Sequence, residues 1–365
     1  MTSQEALVAL NMLPTIGPIR VRRLLEAFGT PESALGASMD RLLRVSGIGE
    51  ESAKILHDWQ NHADPIAEMR EAAERGLAIV TQDDADYPAP LRDTYDPPLL
   101  FYVWGKIEPC DRHAIGIVGS RRSTHYGTQA AKKLSYQLAQ SGFTIISGLA
   151  RGIDTSAHEA AIAAKGRTIA VIGSGLGKLY PPENLGLAEK IAEGNGAVIS
   201  EFPLHTAPDK QTFPMRNRIV AAWARALLVV ECPAWSGSLI TANLATEYGK
   251  PVFAVPGPID KPTSAGCNQL IRDGATLVYD ASHILDDLGE LPFARQPSNS
   301  EPAAAFPELP EEEAAVFAAV TVDDSPVDRI TERCGLPAQV VSATLMKLEL
   351  RRLVRALPGF RYARR

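Results

Sequence analysis

Cysteine is scarce and scattered: Cys110, Cys232, Cys267 and Cys334 stand far apart, with no Cys-x-x-Cys pair. That spacing excludes the sequence signatures of a zinc site and of a disulfide framework, and it predicts a reducing, cytoplasmic setting. Positive charge is not in excess either. Lys and Arg number 37 against 43 Asp and Glu, for a net charge of -6, which rules out a protein coated in cations. Any contact with nucleic acid must therefore be a local patch. Also missing is a run of about 18 uninterrupted apolar residues. The first residues lack the basic segment, apolar run and cleavage site of a secretion signal. No membrane partner is expected.

The length of 365 residues leaves room for two or three domains, each with its own core. Residues 1–85 read as short helices, with apolar positions such as Leu7, Leu10, Leu24, Leu25, Leu42, Leu43, Ile55 and Leu56 at helical spacing. The turn Val45-Ser46-Gly47-Ile48-Gly49 before Glu50 resembles a helix-hairpin-helix (SAM-like) hairpin, and Leu13-Pro14-Thr15-Ile16-Gly17-Pro18 is a poorer copy of it. Glu50 and Glu51 would oppose a phosphate there. The segment reads equally as a DNA-binding module and as a packing or protein-contact domain.

From 86 to 288 the pattern changes to apolar strands alternating with helices, which predicts an α/β fold around a Rossmann-like parallel sheet. The expected strands are Ala114 to Val118, Thr144 to Ser147, Thr168 to Ile172, Ala197 to Ser200, Ala226 to Glu231, Pro251 to Val255 and Ala275 to Tyr279. The proline- and aromatic-rich Tyr87 to Gly105 could extend one edge. Residues 289–309 read as a Pro-rich linker. Residues 310–365 read as helix, turn at Gly335, second helix from about Pro337 to Leu348, and a hairpin around Pro358-Gly359-Phe360, the order of a winged helix. Such a domain can touch DNA or dock protein.

Ligands of an open parallel sheet bind beyond the carboxyl ends of its strands, where helix N-termini attract anions. Five turns fall at such ends: Gly119-Ser120-Arg121, Gly148 to Asp154 including Arg151, Gly173 to Lys178, Ser236-Gly237-Ser238 and Pro256-Gly257-Pro258. They predict an anion-binding rim. The rim is not a nucleotide fingerprint. Gly116-Ile117-Val118-Gly119 lacks the close-approach glycine of a dinucleotide loop, and Gly177-Lys178 is followed by Leu179 instead of Ser or Thr. Asp154 reads as a helix N-cap with His158 in a polar contact near it. Glu201 and Glu231 are the best acid/base candidates, yet neither has an evident partner, so no catalytic residue, metal or cofactor is expected.

The one basic and aromatic run, Asp209 to Arg218, enters a helix whose Ile219, Ala222 and Trp223 can pack inward. Arg216 and Arg218 cannot both share that face, and each reads as a phosphate contact or a structural tie. Phe213 either closes the core or offers a face to a base; Lys210 before it and Arg121 across the sheet favour the base.

Taken in order, Ile117-Val118-Gly119-Ser120-Arg121, Ser147 to Asp154 with Ala157-His158, Tyr180-Pro181 with Asn184, Ser200-Glu201-Phe202-Pro203, Phe213-Pro214 with Arg216-Asn217-Arg218-Ile219, Ser236-Gly237-Ser238-Leu239 and Val255-Pro256-Gly257 resemble the DNA-processing protein A (DprA/Smf) family. The resemblance implies a single-stranded DNA binder that protects strands and helps load the recombinase RecA in natural transformation, working as a homodimer through the α/β domain. It implies binding through Ser120, Arg121, Lys210 and Phe213. With the rim added, the candidate DNA-binding set is Gly119, Ser120, Arg121, Arg151, Lys210, Phe213, Arg216, Arg218, Ser236, Gly237 and Ser238. Lys178 departs from the acidic residue that relatives often carry there. Two other readings stay open: a nucleotide N-glycosidase, although Pro256-Gly257-Pro258 lacks the Pro-Gly-Gly loop and downstream Glu of such enzymes, and a regulator acting through the winged helix.

Overall fold

A computed structural model describes residues 1–289, 310–321, 325–351, 353–357 and 361–364. The chain forms two compact units, Met1–Arg295 and Gln296–Arg365. The expected linker lies almost wholly outside the described residues.

The first unit opens with the helix Ser3–Met12, whose N-terminus is closed by a capping box: the Thr2 hydroxyl accepts from the Glu5 N–H, and the Glu5 carboxylate from the Thr2 N–H. Short helices follow, and Ala6, Leu10, Leu24, Leu42 and Leu56 form their shared core; Leu43 stays 41% exposed. Two arginines of the helix Pro18–Phe28 turn onto the hairpins. Arg20 donates to the carbonyls of Gly47 and Thr15, and Arg23 to that of Ser46. These guanidiniums therefore tie the two hairpins together.

Nine strands make the sheet: β1 (Ala78–Thr81), β2 (Leu100–Gly105), β3 (Ala114–Val118), β4 (Thr144–Ser147), β5 (Thr168–Val171), β6 (Gly196–Ser200), β7 (Ala226–Val229), β8 (Val252–Ala254) and β9 (Thr276–Leu277). Their order is β1-β2-β6-β5-β4-β3-β7-β8-β9. β1 and β2 run antiparallel to their neighbours, and the other pairs are parallel. The sheet thus begins at Ala78, upstream of the boundary expected at residue 86, and β2 supplies the edge extension expected from Tyr87 to Gly105.

Both faces of the sheet are covered, which explains why the strands read as apolar runs instead of alternating. Ile115 and Ile117 of β3 pack with Leu134 and Leu138 of the helix His125–Gln140 and with Ala157 of the helix Ile153–Ala163. Ala114 and Val118 face the other way, towards Ile219 and Trp223 of the helix Thr212–Trp223 and Ala245 of the helix Gly237–Glu247. The chain moves from β3 through β4 and β5 to β6, then returns to the far side of β3 as β7. β3 and β7 therefore flank the topological switch point, where their outgoing loops part and leave a crevice at the carboxyl ends.

The second unit packs helices Glu311–Ala319, Val327–Cys334 and Ala338–Leu350 around Val316, Ile330, Val341 and Leu345. Gly335 ends the middle helix with a φ of 66°, the left-handed turn that glycine adopts without a Cβ penalty. Strands β10 (Ser325–Pro326), β11 (Val354–Leu357) and β12 (Arg361–Arg364) are ordered β10-β12-β11. The expected turn at Pro358 to Phe360 lies outside the described residues. Among those residues, no helix is long and apolar enough to cross a membrane.

Candidate nucleic-acid interface

The loop leaving β3 is fixed to the end of β7. A Cβ on Gly119 would lie 2.5 Å from Ile153 Cγ1 and 2.9 Å from the Glu231 carbonyl, so only glycine fits. The Ser120 N–H donates to that carbonyl at 2.6 Å, and the Ser120 hydroxyl accepts from the Arg122 N–H at 3.1 Å. This tight turn buries Ser120 and leaves Arg121 and Arg122 exposed. The buried Glu231 carboxylate accepts from the Thr124 N–H and hydroxyl, both at 2.8 Å, and so braces the start of the helix His125–Gln140.

The loop after β4 is clamped from two sides. Leu149 is fully buried at a φ of 55°, a left-handed conformation that costs a branched residue free energy unless its surroundings enforce it. Asn184 donates to its carbonyl at 2.8 Å. The Asp154 carboxylate accepts from the N–H groups of Gly148 at 3.1 Å and Ala150 at 3.3 Å. Asp154 is therefore not the N-cap; Gly152 is, and the carboxylate reaches back to organise the loop. His158 bonds Thr168 instead of Asp154. Its Nδ1 meets the Thr168 hydroxyl at 2.7 Å, and burial pushes its pKa down to about 3, so the ring stays neutral.

The basic and aromatic run begins with a capped turn in which the Thr212 hydroxyl donates to the Gly173 carbonyl at 2.5 Å. Phe213 lies half-buried against Gly173, where a Cβ would come within 2.9 Å of its ring. Tyr180 stands 6.0 Å away, tilted by 46°, and the Arg121 guanidinium covers the ring at 4.7 Å. Lys210 is exposed at the mouth. Arg216 is not: it is 4% exposed and donates to the carbonyls of Gly148 and Val171. Arg218 points elsewhere, into a buried ion pair with Glu201 and a 3.2 Å contact with Asp96. Burial pushes the Glu201 carboxyl up while Arg218 pulls it down. Both arginines are thus structural ties on different sides of the helix, although Arg216 also lines the crevice floor.

The result is an open cleft of about 670 Å³ lined by Gly119, Ser120, Arg121, Arg122, Lys210, Phe213, Arg216 and the Ser236-Gly237-Ser238 turn. A smaller hollow of about 230 Å³ adjoins it and includes Arg121, Phe213, Tyr180 and Arg151; Arg151 itself is paired with Glu183. Arg218 lines neither. Ser236 caps the helix Gly237–Glu247 by accepting from the Ser238 N–H at 3.2 Å, so that helix start faces the cleft. The Pro256-Gly257 turn is held by Asn268, which bonds both backbone groups of Gly257, and Lys178 is exposed away from both hollows. Among the described residues, no carboxylate lies within ion-pair distance of Arg121, Arg122 or Lys210.

Residues 78–289 match the family model described as DNA recombination-mediator protein A, which spans more than half of the chain. The chain belongs to the DprA/Smf family. Its flanks match a DprA winged helix domain over 300–359 and a SAM-like helix-hairpin-helix tandem over 8–57. Protein Smf of Escherichia coli is 40% identical over 356 residues, covering 87% of this chain and 93% of that protein. Protein Smf of Synechocystis is 34% identical, covering 100% of this chain and 99% of that one. The crystal structure of DprA from Streptococcus pneumoniae superposes with a TM-score of 0.68 at 33% identity, over 79% of this chain and 98% of that one. The DNA processing protein A of Helicobacter pylori, whose structure is described for its single-stranded DNA binding mode, gives a TM-score of 0.52 at 31% identity over 58% of this chain and 96% of that one.

Within this DprA/Smf chain, three cationic or aromatic residues of the two hollows stand outside the candidate DNA-binding set. Arg122 is a second exposed cation beside Arg121, and Tyr180 flanks Phe213. Trp235 lines the cleft at 98% exposure. Its signal was present as a large ring between Pro233 and the Ser236-Gly237-Ser238 turn, in a loop where nothing apolar is needed for packing.

Proposed function

We propose that this DprA/Smf chain binds single-stranded DNA in the switch-point cleft, with little sequence preference. The carrying observation is the grouping of three cations, Arg121, Arg122 and Lys210, none with an ion-pair partner among the described residues, around the half-exposed Phe213 ring. Phosphates bind Arg121 and Lys210 beside the Gly119 loop and the start of the Gly237 helix. A base stacks on Phe213 by taking the place over the ring that Arg121 occupies, which releases the guanidinium to a phosphate. The single-strand binding described for the Helicobacter pylori relative supports this reading.

Binding, not bond chemistry, is the proposed activity. The acid/base candidates are engaged elsewhere: Glu231 with Thr124, Glu201 with Arg218, Asp154 with its loop and His158 with Thr168. The family description as a recombination mediator supports a further role in protecting strands and loading RecA during transformation, performed by a cytoplasmic homodimer.

Phe213→Ala is expected to weaken binding of a short oligothymidylate by about 1 to 3 kcal/mol, the range for one base stack, with an unchanged salt dependence because no charge is removed. Fluorescence anisotropy of a labelled oligonucleotide reads both quantities. Affinity equal to the parent's would remove the base from Phe213.

A further inference from the structure

Trp235 is the most conspicuous side chain that the cleft as described leaves without a task. It is 98% exposed, so its ring contributes nothing to the core, although a tryptophan is among the largest apolar surfaces a chain can bury. Its loop is nevertheless well anchored. The Cys232 carbonyl accepts from the Gly266 N–H at 2.9 Å. A Cβ on Gly266 would lie 2.6 Å from Cys232 Sγ and 2.7 Å from the Pro233 carbonyl. On the other side Ser236 caps the next helix. The backbone therefore presents an idle ring from a fixed base, beside the cations and within the same cleft.

Its place relative to Phe213 follows from the strand order. Phe213 rests on Gly173, just past β5, while Trp235 stands on the loop leaving β7. β4 and β3 lie between them, so the roots of the two loops are three strand spacings apart, roughly 14 Å. Phe213 and Trp235 therefore stand over different strand ends of the one cleft. Between them lie the Gly119-Ser120-Arg121 loop and Arg122.

Resting on the cleft as the single-strand site, we infer that Trp235 is a second stacking platform, which takes a different base of the same strand a few nucleotides from the one on Phe213. The phosphates between the two bases cross the Arg121 and Arg122 loop. The ligand class is an unpaired nucleic-acid segment spanning the whole cleft, because a duplex cannot offer two separate base faces. Stacking tolerates any base, so this platform adds affinity without adding sequence preference.

The ring also provides its own probe. Of the four tryptophans, Trp223 is 1% exposed and Trp59 and Trp104 are partly buried, so the solvent-exposed emission belongs to Trp235. The full chain is titrated with a short oligothymidylate, reading red-edge tryptophan emission and, separately, the anisotropy of a labelled copy. The exposed emission is expected to fall at the concentration where anisotropy rises, and Trp235→Phe to abolish that quench while keeping affinity close to the parent's. Trp235→Ala is expected to weaken binding about 5- to 150-fold, with the salt slope unchanged. An exposed side chain makes both variants safe for folding. Parent-like affinity in Trp235→Ala, or a quench that survives in Trp235→Phe, would overturn the inference. If the Arg121 and Lys210 cations still matter in the same assay, the cleft reading stands and only the second platform falls; a parent that binds no oligonucleotide defeats both.

Discussion

Arg121→Ala combined with Lys210→Ala should lower affinity for a single-stranded oligonucleotide by about 30- to 150-fold at moderate salt. Each cation offers charge-assisted hydrogen bonds to a phosphate, and Arg121 also covers the ring on which the base is to stack. Discounted for exposure, about 2 to 3 kcal/mol is a fair sum for the two. The slope of log affinity against log salt should flatten by about 1.4, since each lost phosphate contact on a single strand removes about 0.7. Both side chains are exposed and lack ion-pair partners among the described residues, so thermal stability should stay near the parent's. A gel-shift titration in which the folded double variant binds like the parent would take the phosphates out of this cleft.

Arg216→Ala should act on the fold instead, by about 3 to 5 kcal/mol in denaturant unfolding, the usual cost of removing one member of a buried charged group. Arg216 is 4% exposed and bonds the carbonyls of Gly148 and Val171. Burial pushes its pKa down to about 10, against the pull of Asp154. Burial also raises the Asp154 carboxyl, and Arg216 is the largest influence lowering it. Without Arg216, Asp154 moves further above its unfolded pKa, and a carboxyl shifted that way is penalised only once it ionises. The stability deficit should therefore shrink as pH falls and grow as pH rises through the shifted value. A deficit below about 1 kcal/mol, the range of an ordinary surface substitution, would show that Arg216 is not a tie.

Why Arg216 and Arg218 turned inward could not be read from spacing. A 3.6-residue period says only that the two point apart. The carbonyls of Gly148 and Val171 and the carboxylates of Asp96 and Glu201 that receive them come from distant parts of the chain. The central strands were legible because a doubly covered parallel sheet writes apolar runs such as Ala114 to Val118 and Thr144 to Ser147. β1 was not. Ala78–Thr81 is a four-residue antiparallel edge that follows a helix and precedes a proline-rich loop, so nothing local separates it from its neighbours. Asp154 looked like a cap because an acidic residue opens that helix. The cap fell to Gly152, whose φ of 79° turns the chain sharply enough for the carboxylate to serve the preceding loop. Arg121 was legible beside a glycine turn and Phe213 within the basic run, whereas their contact with each other required the sheet order that places β3 near β5.

The proposed ligand of the switch-point cleft is an unpaired strand with base faces available. Its most direct test is competition between a single strand and a duplex of equal length for the purified chain, at several salt concentrations, with solution mass recorded alongside. Clear preference for the single strand is expected at every salt concentration, since the phosphate contacts are common to both but only the strand can stack. Equal affinity for strand and duplex would contradict it.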